Sequence, residues 1–320
     1  MIAYITIAKG LKIIDIPLGR SSHTHPTVRG GGIIFPIGAI TWFIIFGWEQ
    51  PYAVMGLLII SLISFVDDLK SLPGSFRIVF HLLAIGLLFY DVGLYNMHWY
   101  LIIASLILTI GWINAFNFMD GINGITAFYS LVLLGTFSLL NNAPRLLSSF
   151  FTTTFPEHWE PFFPGGLVGV LFLSVLIFTF FNAKSKAMVF AGDVGSISMA
   201  FLQSWMMISL MVETRQAFWI LLFSVYGIDS VITIIIRLGR KENIFKSHRL
   251  HLYQLLVNEK GLPHLFVAAS YAIIQLGINL LTIYLTFTNR MNIGVFLFLL
   301  MGLTIIYILV RQKITRLKLT

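Results

Sequence analysis

Residues 194–212 form the stretch VGSISMAFLQSWMMISLMV, which contains no charged side chain. One helix needs about 20 predominantly apolar residues to cross a lipid bilayer. Residues 166–181, GLVGVLFLSVLIFTFF, have the same character. Neither stretch alternates apolar and polar residues, as the strands of a transmembrane β-barrel would. The sequence therefore predicts membrane-spanning α-helices.

The composition of the whole chain supports this class of protein. Of its 320 residues, 58% are hydrophobic and 11% are charged, whereas soluble domains have about 45–50% apolar and about 25% charged residues. The absence of cysteine among these residues excludes disulfides, thiolate catalysis and cysteine-based metal sites. We attribute the net charge of +8 to basic loops beside a membrane, and we expect no nucleic acid partner.

Ten segments are apolar and long enough to be predicted as full spans. They are 31–47, 51–66, 75–90, 99–117, 122–140, 164–181, 194–212, 216–236, 264–287 and 293–310. Met1–Ile16 is similar to the end of a further span, which Lys9, Gly10 and Lys12 make too short to cross alone. The predicted fold class is an all-α polytopic membrane protein with about 10 full transmembrane helices and a partial first one, in a single integral-membrane domain over residues 1–320.

Strict alternation of these spans predicts their orientation. With residues 9–30 on the inner side, 18 of the 21 lysines and arginines fall on inner loops, and only Arg145, Arg215 and Arg290 fall on outer loops. Lysine and arginine are enriched in cytoplasmic loops, so this split supports both the span count and a cytoplasmic position for the inner loops. Five polar segments lie on that side.

The first polar segment is the acidic pair Asp67-Asp68 at the end of a span. Adjacent helical residues point about 100° apart, so the two carboxylates need not bind one ligand. Carboxylates at a helix C-terminus oppose the helix dipole. We therefore expect a cationic partner, which could be Lys70, another loop or a metal ion. A solvated helix end is the alternative.

The second and third segments border two other spans. In residues 114–124, NAFNFMDGING, a helix would make Asn117 and Asp120 neighbours, with Asn123 on the same face. The cost of polar groups near lipid favours a binding site over a simple turn. In residues 190–196, FAGDVGS, Asp193 is predicted as the N-cap of a helix, and Gly192 and Gly195 would let a ligand approach the backbone. Such a helix start can hold pyrophosphate and Mg²⁺ together, although a plain N-cap fits equally well.

The remaining two segments are basic. Residues 246–254, KSHRLHLYQ, would place His248 and His251 on one helix face, and with Arg249 they offer donors for a diphosphate. A lipid-binding basic segment is the alternative, and a zinc site is disfavoured because no third ligand lies nearby. Residues 20–32, RSSHTHPTVRGGG, are predicted as a structured loop whose His23 and Arg29 suit phosphate oxygens.

Asp229 lies inside the predicted span 216–236. An ionisable side chain within a membrane span is costly and is a candidate for function. It is equally compatible with a structural role as a partner of another helix.

Together these segments resemble the polyprenyl-phosphate N-acetylhexosamine-1-phosphate transferases of glycosyltransferase family 4, of the O-antigen-initiating type. Phospho-N-acetylmuramoyl-pentapeptide translocase is a distant relative. The resemblance runs in order from Asp15 to about Gln254. It rests on Arg-Ser-Ser-His with Arg-Gly-Gly-Gly, Asp-Asp, Asn-Phe-Met-Asp-Gly, Gly-Asp-Val-Gly-Ser and His-Arg-x-His-x-Tyr-Gln, which are jointly specific although each alone is weak.

The resemblance implies roles for the residues at matching positions. Asp193 would bind Mg²⁺, and Asp67 and Asp68 would position or activate a lipid phosphate, with Asp67 also at the metal. Phe190 would stack on uracil, and the histidine segment would cover the nucleotide sugar. The catalytic candidates are Asp67, Asp68, Asp120, Asp193, His248 and His251, and the substrate-binding candidates are Asn117, Asn123, Phe190, Arg249, Arg29 and His23.

Some features depart from the family pattern. Asn123 replaces an aspartate found in many members, which keeps hydrogen bonding but removes a charge. His25 stands where a basic residue is expected, and the form His-Arg-Leu-His is similar to the O-antigen-type branch. Relatives begin with a full first span, so we expect the true start to lie upstream of Met1 and the complete pattern to have 11 spans.

The implied function is Mg²⁺-dependent transfer of N-acetylhexosamine 1-phosphate from a UDP-sugar to undecaprenyl phosphate, with release of UMP and with Mn²⁺ as a substitute ion. This reaction would start a lipid-linked cell-surface glycan, such as the O-antigen of lipopolysaccharide, at the cytoplasmic face of the bacterial inner membrane. The expected partners are the UDP-N-acetylhexosamine, undecaprenyl phosphate and membrane lipid, and a homodimer is left open.

Two alternatives concern the reaction and the class of protein. A carboxylate could first form a covalent phospho-sugar, but a phosphate monoester with a second pKa of about 6 is mostly dianionic at neutral pH and favours direct attack. A membrane transporter of an anionic substrate is the alternative function. Its site would lie near the bilayer midplane, whereas the polar segments of this chain lie at span ends.

Overall fold

The computed structural model describes residues 1–17, 22–23, 25–143, 146, 161–243 and 248–316, and their fold is all-α. The helices are α1 Ile2–Gly10, α2 Ile34–Phe46, α3 Pro51–Leu69, α4 Gly74–Asp91, α5 Trp99–Met119, α6 Ile125–Asn141, α7 Leu167–Asn182, α8 Gly192–Thr214, α9 Ser224–Gly239, α10 Leu252–Asn258, α11 His264–Phe287 and α12 Ile293–Arg316. Two short strands, β1 Ile14–Asp15 and β2 Thr27–Val28, pair antiparallel.

The predicted spans agree with these helices. Among the described residues, seven apolar helices are long enough to cross a membrane, and three shorter ones, Gly31–Phe46, Ile125–Asn141 and Leu167–Asn182, occupy the other predicted segments. The segment predicted at 216–236 begins with a 3₁₀ turn, Ala217–Phe223, and continues as α9. Helix α1 ends at Gly10, within the interruption that the sequence indicates. The chain is therefore a polytopic membrane protein, as predicted.

Helix α8 is the centre of the bundle, because 94% of the residues in its most apolar stretch are buried. It packs mainly against α3 and α5. The polar residues on α8 are paired with these neighbours: the hydroxyls of Ser198 and Ser61 lie 2.8 Å apart, and Trp112 Nε1 donates to Gln203 Oε1 at 3.0 Å. Because buried polar groups need partners in a membrane protein, these bonds fix the position of α8 against α3 and α5.

The glycine-rich loop of residues 30–32 packs directly on the chain that leads into α8. Gly31 N donates to Phe190 O at 2.8 Å, and Gly32 N donates to Ala191 O at 3.0 Å. A Cβ on either Gly32 or Gly195 would overlap the other residue's backbone. The prediction that Gly195 admits a ligand is therefore wrong, because residues 30–32 already occupy that space.

The polar segments lie together at one end of the bundle. The C-terminal ends of α3 and α5 meet the N-terminal ends of α4, α6 and α8 there, as the hydrogen bonds between their residues show. These are the helix ends that the alternation of spans places on one side. The sequence thus predicted correctly that the acidic and asparagine segments lie together.

The backbone contact between Gly32 and Gly195 provides a stability test. Gly195→Ala should lower the free energy of unfolding by about 1–3 kcal/mol, because neither backbone can withdraw from the added methyl group. The matched control is Gly169→Ala in α7, where a Cβ meets nothing within 4 Å and the gain in helix propensity is about 1 kcal/mol. Thermal unfolding in detergent measures both, and equal melting temperatures would contradict the contact.

Candidate active site

The carboxylate of Asp68 caps the start of α8 from another helix. Its Oδ1 accepts from Asp193 N and its Oδ2 accepts from Val194 N, both at 2.9 Å, and the side chain is 0% exposed. The first N–H groups of a helix lack partners within the helix, and a negative charge there is favourable. The prediction that Asp193 is the N-cap is wrong, since α8 begins at Gly192 and Asp193 lies in its first turn.

Arg29 joins the two aspartates of this contact. Its Nε lies 2.6 Å from Asp68 Oδ1, and its Nη2 lies 3.2 Å from Asp193 Oδ1. Burial lowers the pKa of Arg29, but the charges of Asp68 and Asp193 outweigh that effect and raise the pKa above its usual value. Tyr4 OH donates to Arg29 O at 2.6 Å and fixes the loop. Arg29 is thus the cationic partner of Asp68, one member of the acidic pair.

Asp67 faces a different arginine, which the sequence analysis did not single out. Arg77 Nη1, at the start of α4, lies 2.7 Å from Asp67 Oδ2 and 3.9 Å from Asp193 Oδ2. Leu72 N donates to Asp67 Oδ1 at 2.6 Å. The two adjacent carboxylates therefore face different arginines, and whether they bind one ligand stays a prediction. The sequence did contain a signal for this contact, because Arg77 lies ten residues after Asp67 and near the start of the next predicted span.

Asp67 and Asp193 are suited to hold a divalent cation. Their carboxyl groups lie within hydrogen-bonding reach of each other, and Asp193 is 19% exposed. Within the described ranges, no group of three or more histidine, cysteine, aspartate or glutamate residues forms a ready-made metal site. Mg²⁺ commonly binds one or two carboxylates together with water and substrate phosphates. The pair therefore fits Mg²⁺ that binds with a diphosphate, whereas the side chain of Asp68 is 0% exposed.

The asparagine segment divides into residues that face the site and one that does not. Asn117 Oδ1 accepts from Ser196 Oγ at 2.6 Å, which holds Asn117 beside the start of α8. Asp120 accepts from the hydroxyl of Thr126. Burial raises the pKa of Asp120 to about 6. Both residues therefore remain site candidates.

Asn123 occupies another position than predicted. Helix α5 ends at Met119, so the expected helix face does not continue to Asn123. Its buried side chain donates through Nδ2 to Lys184 O at 2.7 Å and to Ser185 O at 3.3 Å. An ionised aspartate could not donate these bonds. The asparagine at this position therefore connects two loops.

His23 and Phe190 are brought together beside these carboxylates. Their ring centroids are 4.9 Å apart in an edge-on arrangement. Phe190 N donates to Val28 O at 2.8 Å, which ties the ring to the glycine-rich loop. His23 Nε2 is buried without a partner in the described part of the chain. The ring of Phe190 thus lies three residues before Asp193 in the chain, with the ring of His23 packed against it.

The histidine segment is not the helix that the sequence predicted. Residues 248–250 are irregular, and His251 is the N-cap of α10, with its ring centroid 4.9 Å from that of His248. Burial, with the charges of His251 and Arg237, lowers the pKa of His248 to about 4, so its ring is neutral near pH 7. Of the predicted diphosphate donors, His248 is therefore uncharged, and His251 is buried at the start of α10.

Five residues of the polar segments lie outside the described residues: Arg20, Ser21, Thr24, Lys246 and Ser247.

Asp229 is the partner of His251. Its Oδ1 lies 3.1 Å from His251 Nδ1, and Oδ1 also accepts from Leu252 N at 3.1 Å. Both residues are buried. Of the two roles that the sequence left open for Asp229, the contact supports the structural one, in which this carboxylate positions the histidine segment.

A cavity of about 1280 Å³ adjoins the cluster of carboxylates and arginines. Its lining is mostly apolar and comes from α5, α9 and α12. The lining also includes four polar residues from the end of the bundle where the polar segments lie: Arg77, His248, His251 and Gln254. Arg77 thus belongs both to the cavity and to the contact with Asp67. A molecule with an anionic head and an apolar tail would match this lining.

Comparison with known proteins places the chain beside membrane enzymes. The family described as Glycosyl transferase family 4 matches residues 51–211. A protein of Bacillus subtilis (strain 168), described as a probable undecaprenyl-phosphate N-acetylglucosaminyl 1-phosphate transferase, is 23% identical over 285 residues, which cover 81% of this chain and 73% of that protein.

The different settings of the acidic pair predict different effects on stability. Asp68→Asn should lower the melting temperature markedly, because an amide has a single oxygen for the two backbone N–H groups that Asp68 accepts from, and a buried N–H left unsatisfied costs about 1–3 kcal/mol. Asp67→Asn should have a smaller effect, because Asp67 accepts from one backbone N–H, which the amide oxygen can still bind. Thermal unfolding of both purified variants provides the comparison. Equal stability of the two would contradict the structural role of Asp68.

Proposed function

This chain belongs to glycosyl transferase family 4 and is an enzyme, a phosphosugar transferase, and we propose that it transfers N-acetylhexosamine 1-phosphate from a UDP-sugar to undecaprenyl phosphate, releasing UMP. The family membership agrees with the resemblance found in the sequence. It also removes the support for the transporter alternative.

One observation carries the proposal: Arg77 connects the acidic cluster with the apolar cavity. A polyprenyl phosphate has a long apolar tail and a doubly charged head. The tail matches the lining of α5, α9 and α12, and Arg77 provides a cation where the head would lie. The lipid phosphate would then be presented beside Asp67 and Asp193.

The nucleotide sugar would bind on the other side of the same carboxylates. His23 and Phe190 offer a polar nitrogen and an aromatic face for the base, and Arg29 provides a cation close to Asp193. Asp67 and Asp193 would hold Mg²⁺, which when bound neutralises diphosphate charge and stabilises the leaving UMP. This arrangement would place the donor diphosphate between Arg29 and Arg77.

The reaction proceeds by direct attack in this proposal. An oxygen of the lipid phosphate forms a bond to the β-phosphorus of the UDP-sugar, and the bond from that phosphorus to the oxygen of UMP breaks. The lipid phosphate, with a second pKa of about 6, needs little deprotonation at neutral pH. Both oxygens of Asp67 already accept hydrogen bonds, from Leu72 N and Arg77. This engagement favours Asp67 as a residue that positions the acceptor over Asp67 as a nucleophile.

The setting of the reaction follows from the charge distribution. The site lies at the helix ends that border the loops with 18 of the 21 lysines and arginines, and such loops face the cytoplasm. We therefore place the site at the cytoplasmic face of a bacterial inner membrane. There the lipid-linked sugar would begin a cell-surface glycan, such as the O-antigen of lipopolysaccharide.

Release of UMP tests the donor, the acceptor and the ion. Purified protein is incubated with undecaprenyl phosphate, Mg²⁺ and a panel of UDP-sugars, and we expect UMP with at least one UDP-N-acetylhexosamine and none after chelation. Absence of UMP with every UDP-N-acetylhexosamine would contradict the proposed donor. A phospho-sugar trapped on an aspartate in the absence of lipid would contradict direct attack.

Substitution of Asp193 tests the assignment of the ion site. Asp193→Asn should abolish turnover while the protein stays folded, because the amide removes the negative charge that the cation needs. The matched control is Asp91→Asn, which also removes a carboxylate charge but lies at the opposite end of the bundle, where Asp91 Oδ2 accepts from Ala53 N. The control should keep wild-type turnover. Turnover that survives in Asp193→Asn would exclude Asp193 as an essential ligand.

A further inference from the structure

Asp229 is the centre of a buried polar cluster that reaches the last helix of the chain. Besides His251 Nδ1 and Leu252 N, its carboxylate accepts from Tyr271 OH at 2.7 Å and from Tyr307 OH at 3.0 Å. Asp229 and Tyr271 are buried in α9 and α11, and Tyr307 lies on α12. Four elements of the fold therefore converge on one carboxylate.

Helix α12 contacts the protein interior through this cluster. Only 6% of the residues in its most apolar stretch are buried, and Tyr307 and Arg311 are its only buried residues among those described. Arg311 Nη1 donates to Tyr307 OH at 2.7 Å and to Thr233 Oγ1 at 2.9 Å. Buried charged and polar groups in a membrane span are costly unless they are paired. A helix that needed only an apolar contact would not require this arginine and tyrosine.

The cluster leaves one atom of His251 without a protein partner. His251 Nδ1 is bound to Asp229, whereas the buried Nε2 has no hydrogen-bond partner in the described part of the chain. His251 also lines the apolar cavity together with Arg77. A carboxylate on one ring nitrogen fixes the tautomer and the orientation of the ring. The ring of His251 is thus held in a fixed orientation at the edge of the cavity.

We propose that Tyr307 and Arg311 are positioning residues of the active site, which act through Asp229 to hold His251 Nε2 towards the head of the acceptor in the cavity. The proposal rests on the proposed function, because that function places the lipid phosphate in this cavity. Tyr307 supplies a hydrogen bond to the carboxylate that holds His251, and Arg311 fixes the tyrosine hydroxyl. Both residues lie outside the segment 51–211 that matches the family.

Kinetics distinguish positioning from a general loss of structure. Tyr307→Phe removes a single hydroxyl and should lower kcat by about tenfold, the effect of losing one hydrogen bond to a charged group. KM for the UDP-sugar should stay unchanged, since the proposed function places the donor beside Arg29 and Phe190 and this proposal assigns His251 to the acceptor instead of the nucleotide sugar. The matched control is Tyr95→Phe, which removes the exposed hydrogen bond from Tyr95 OH to Gly86 O on another part of the chain and should leave kcat unchanged.

A double-mutant cycle tests whether the effect passes through His251. If Tyr307 acts on the reaction by positioning His251, Tyr307→Phe should have no further effect on kcat in the His251→Asn background. Arg311→Met should behave like Tyr307→Phe, and Arg311→Lys should recover part of the loss. Multiplicative effects of Tyr307→Phe and His251→Asn, or an unchanged kcat in Tyr307→Phe, would overturn the proposal.

Chemical labelling tests the positioning without any turnover. Diethyl pyrocarbonate modifies accessible histidine nitrogens, and the rate at His251 can be compared by mass spectrometry with that at exposed His98 in the same sample. Tyr307→Phe and Arg311→Met should increase the relative rate at His251 several-fold, and Tyr95→Phe should not. An unchanged rate would overturn the positioning role. A wild-type enzyme inactive with undecaprenyl phosphate, but with the expected labelling, would contradict the proposed function alone.

Discussion

The contact between the Asp68 carboxylate and the start of α8 is the interaction on which the rest of the site depends. It joins the C-terminal end of α3 to the N-terminal end of the central helix, and a buried carboxylate satisfies two backbone N–H groups there. It also places Asp193 in the first turn of α8, with its side chain directed to Arg29, Arg77 and Asp67. The neighbouring Asp67 and Asp68 therefore have separate settings: Asp68 belongs to the fold, and we propose that Asp67 belongs to the ion site.

Charge balance explains why the cluster is suited to its ligands. Three carboxylates, those of Asp67, Asp68 and Asp193, lie beside two guanidinium groups, those of Arg29 and Arg77. Arg29 is shared between Asp68 and Asp193, and Arg77 lies near both Asp67 and Asp193. Like charges this close favour a bound cation. The two arginines remain on either side of that position and provide the positive field that a diphosphate needs.

The spans could be predicted from the sequence because hydrophobicity and lysine–arginine asymmetry are local signals that repeat along the chain. The convergence of the acidic and asparagine segments followed from the same alternation. The contacts within the site could not be predicted, because they join distant parts of the chain: Asp68 and Asp193 are separated by 125 positions. Arg77 is the exception, because it lies only ten positions after Asp67 and could have been considered from the sequence.

Three wrong predictions share a further physical cause. Asp193, Asn123 and His251 were each assigned a place from the local pattern of a helix or helix end. In the structure, a partner from elsewhere determines the conformation: Asp68 caps α8, the carbonyls of residues 184–185 bind Asn123, and Asp229 holds His251. Tertiary hydrogen bonds in a buried setting outweigh local propensity, because leaving such groups unpaired costs more than a local preference supplies.

The central claim is that Asp68 belongs to the fold and that Asp67 and Asp193 bind the ion. Electron paramagnetic resonance of Mn²⁺ tests it most directly, because the signal of free Mn²⁺ reports how much the purified protein binds in the presence of a UDP-sugar. The account predicts that wild-type protein and Asp91→Asn bind Mn²⁺, and that Asp67→Asn and Asp193→Asn lose most of this binding while they remain folded. Undiminished Mn²⁺ binding in both of these variants would contradict it.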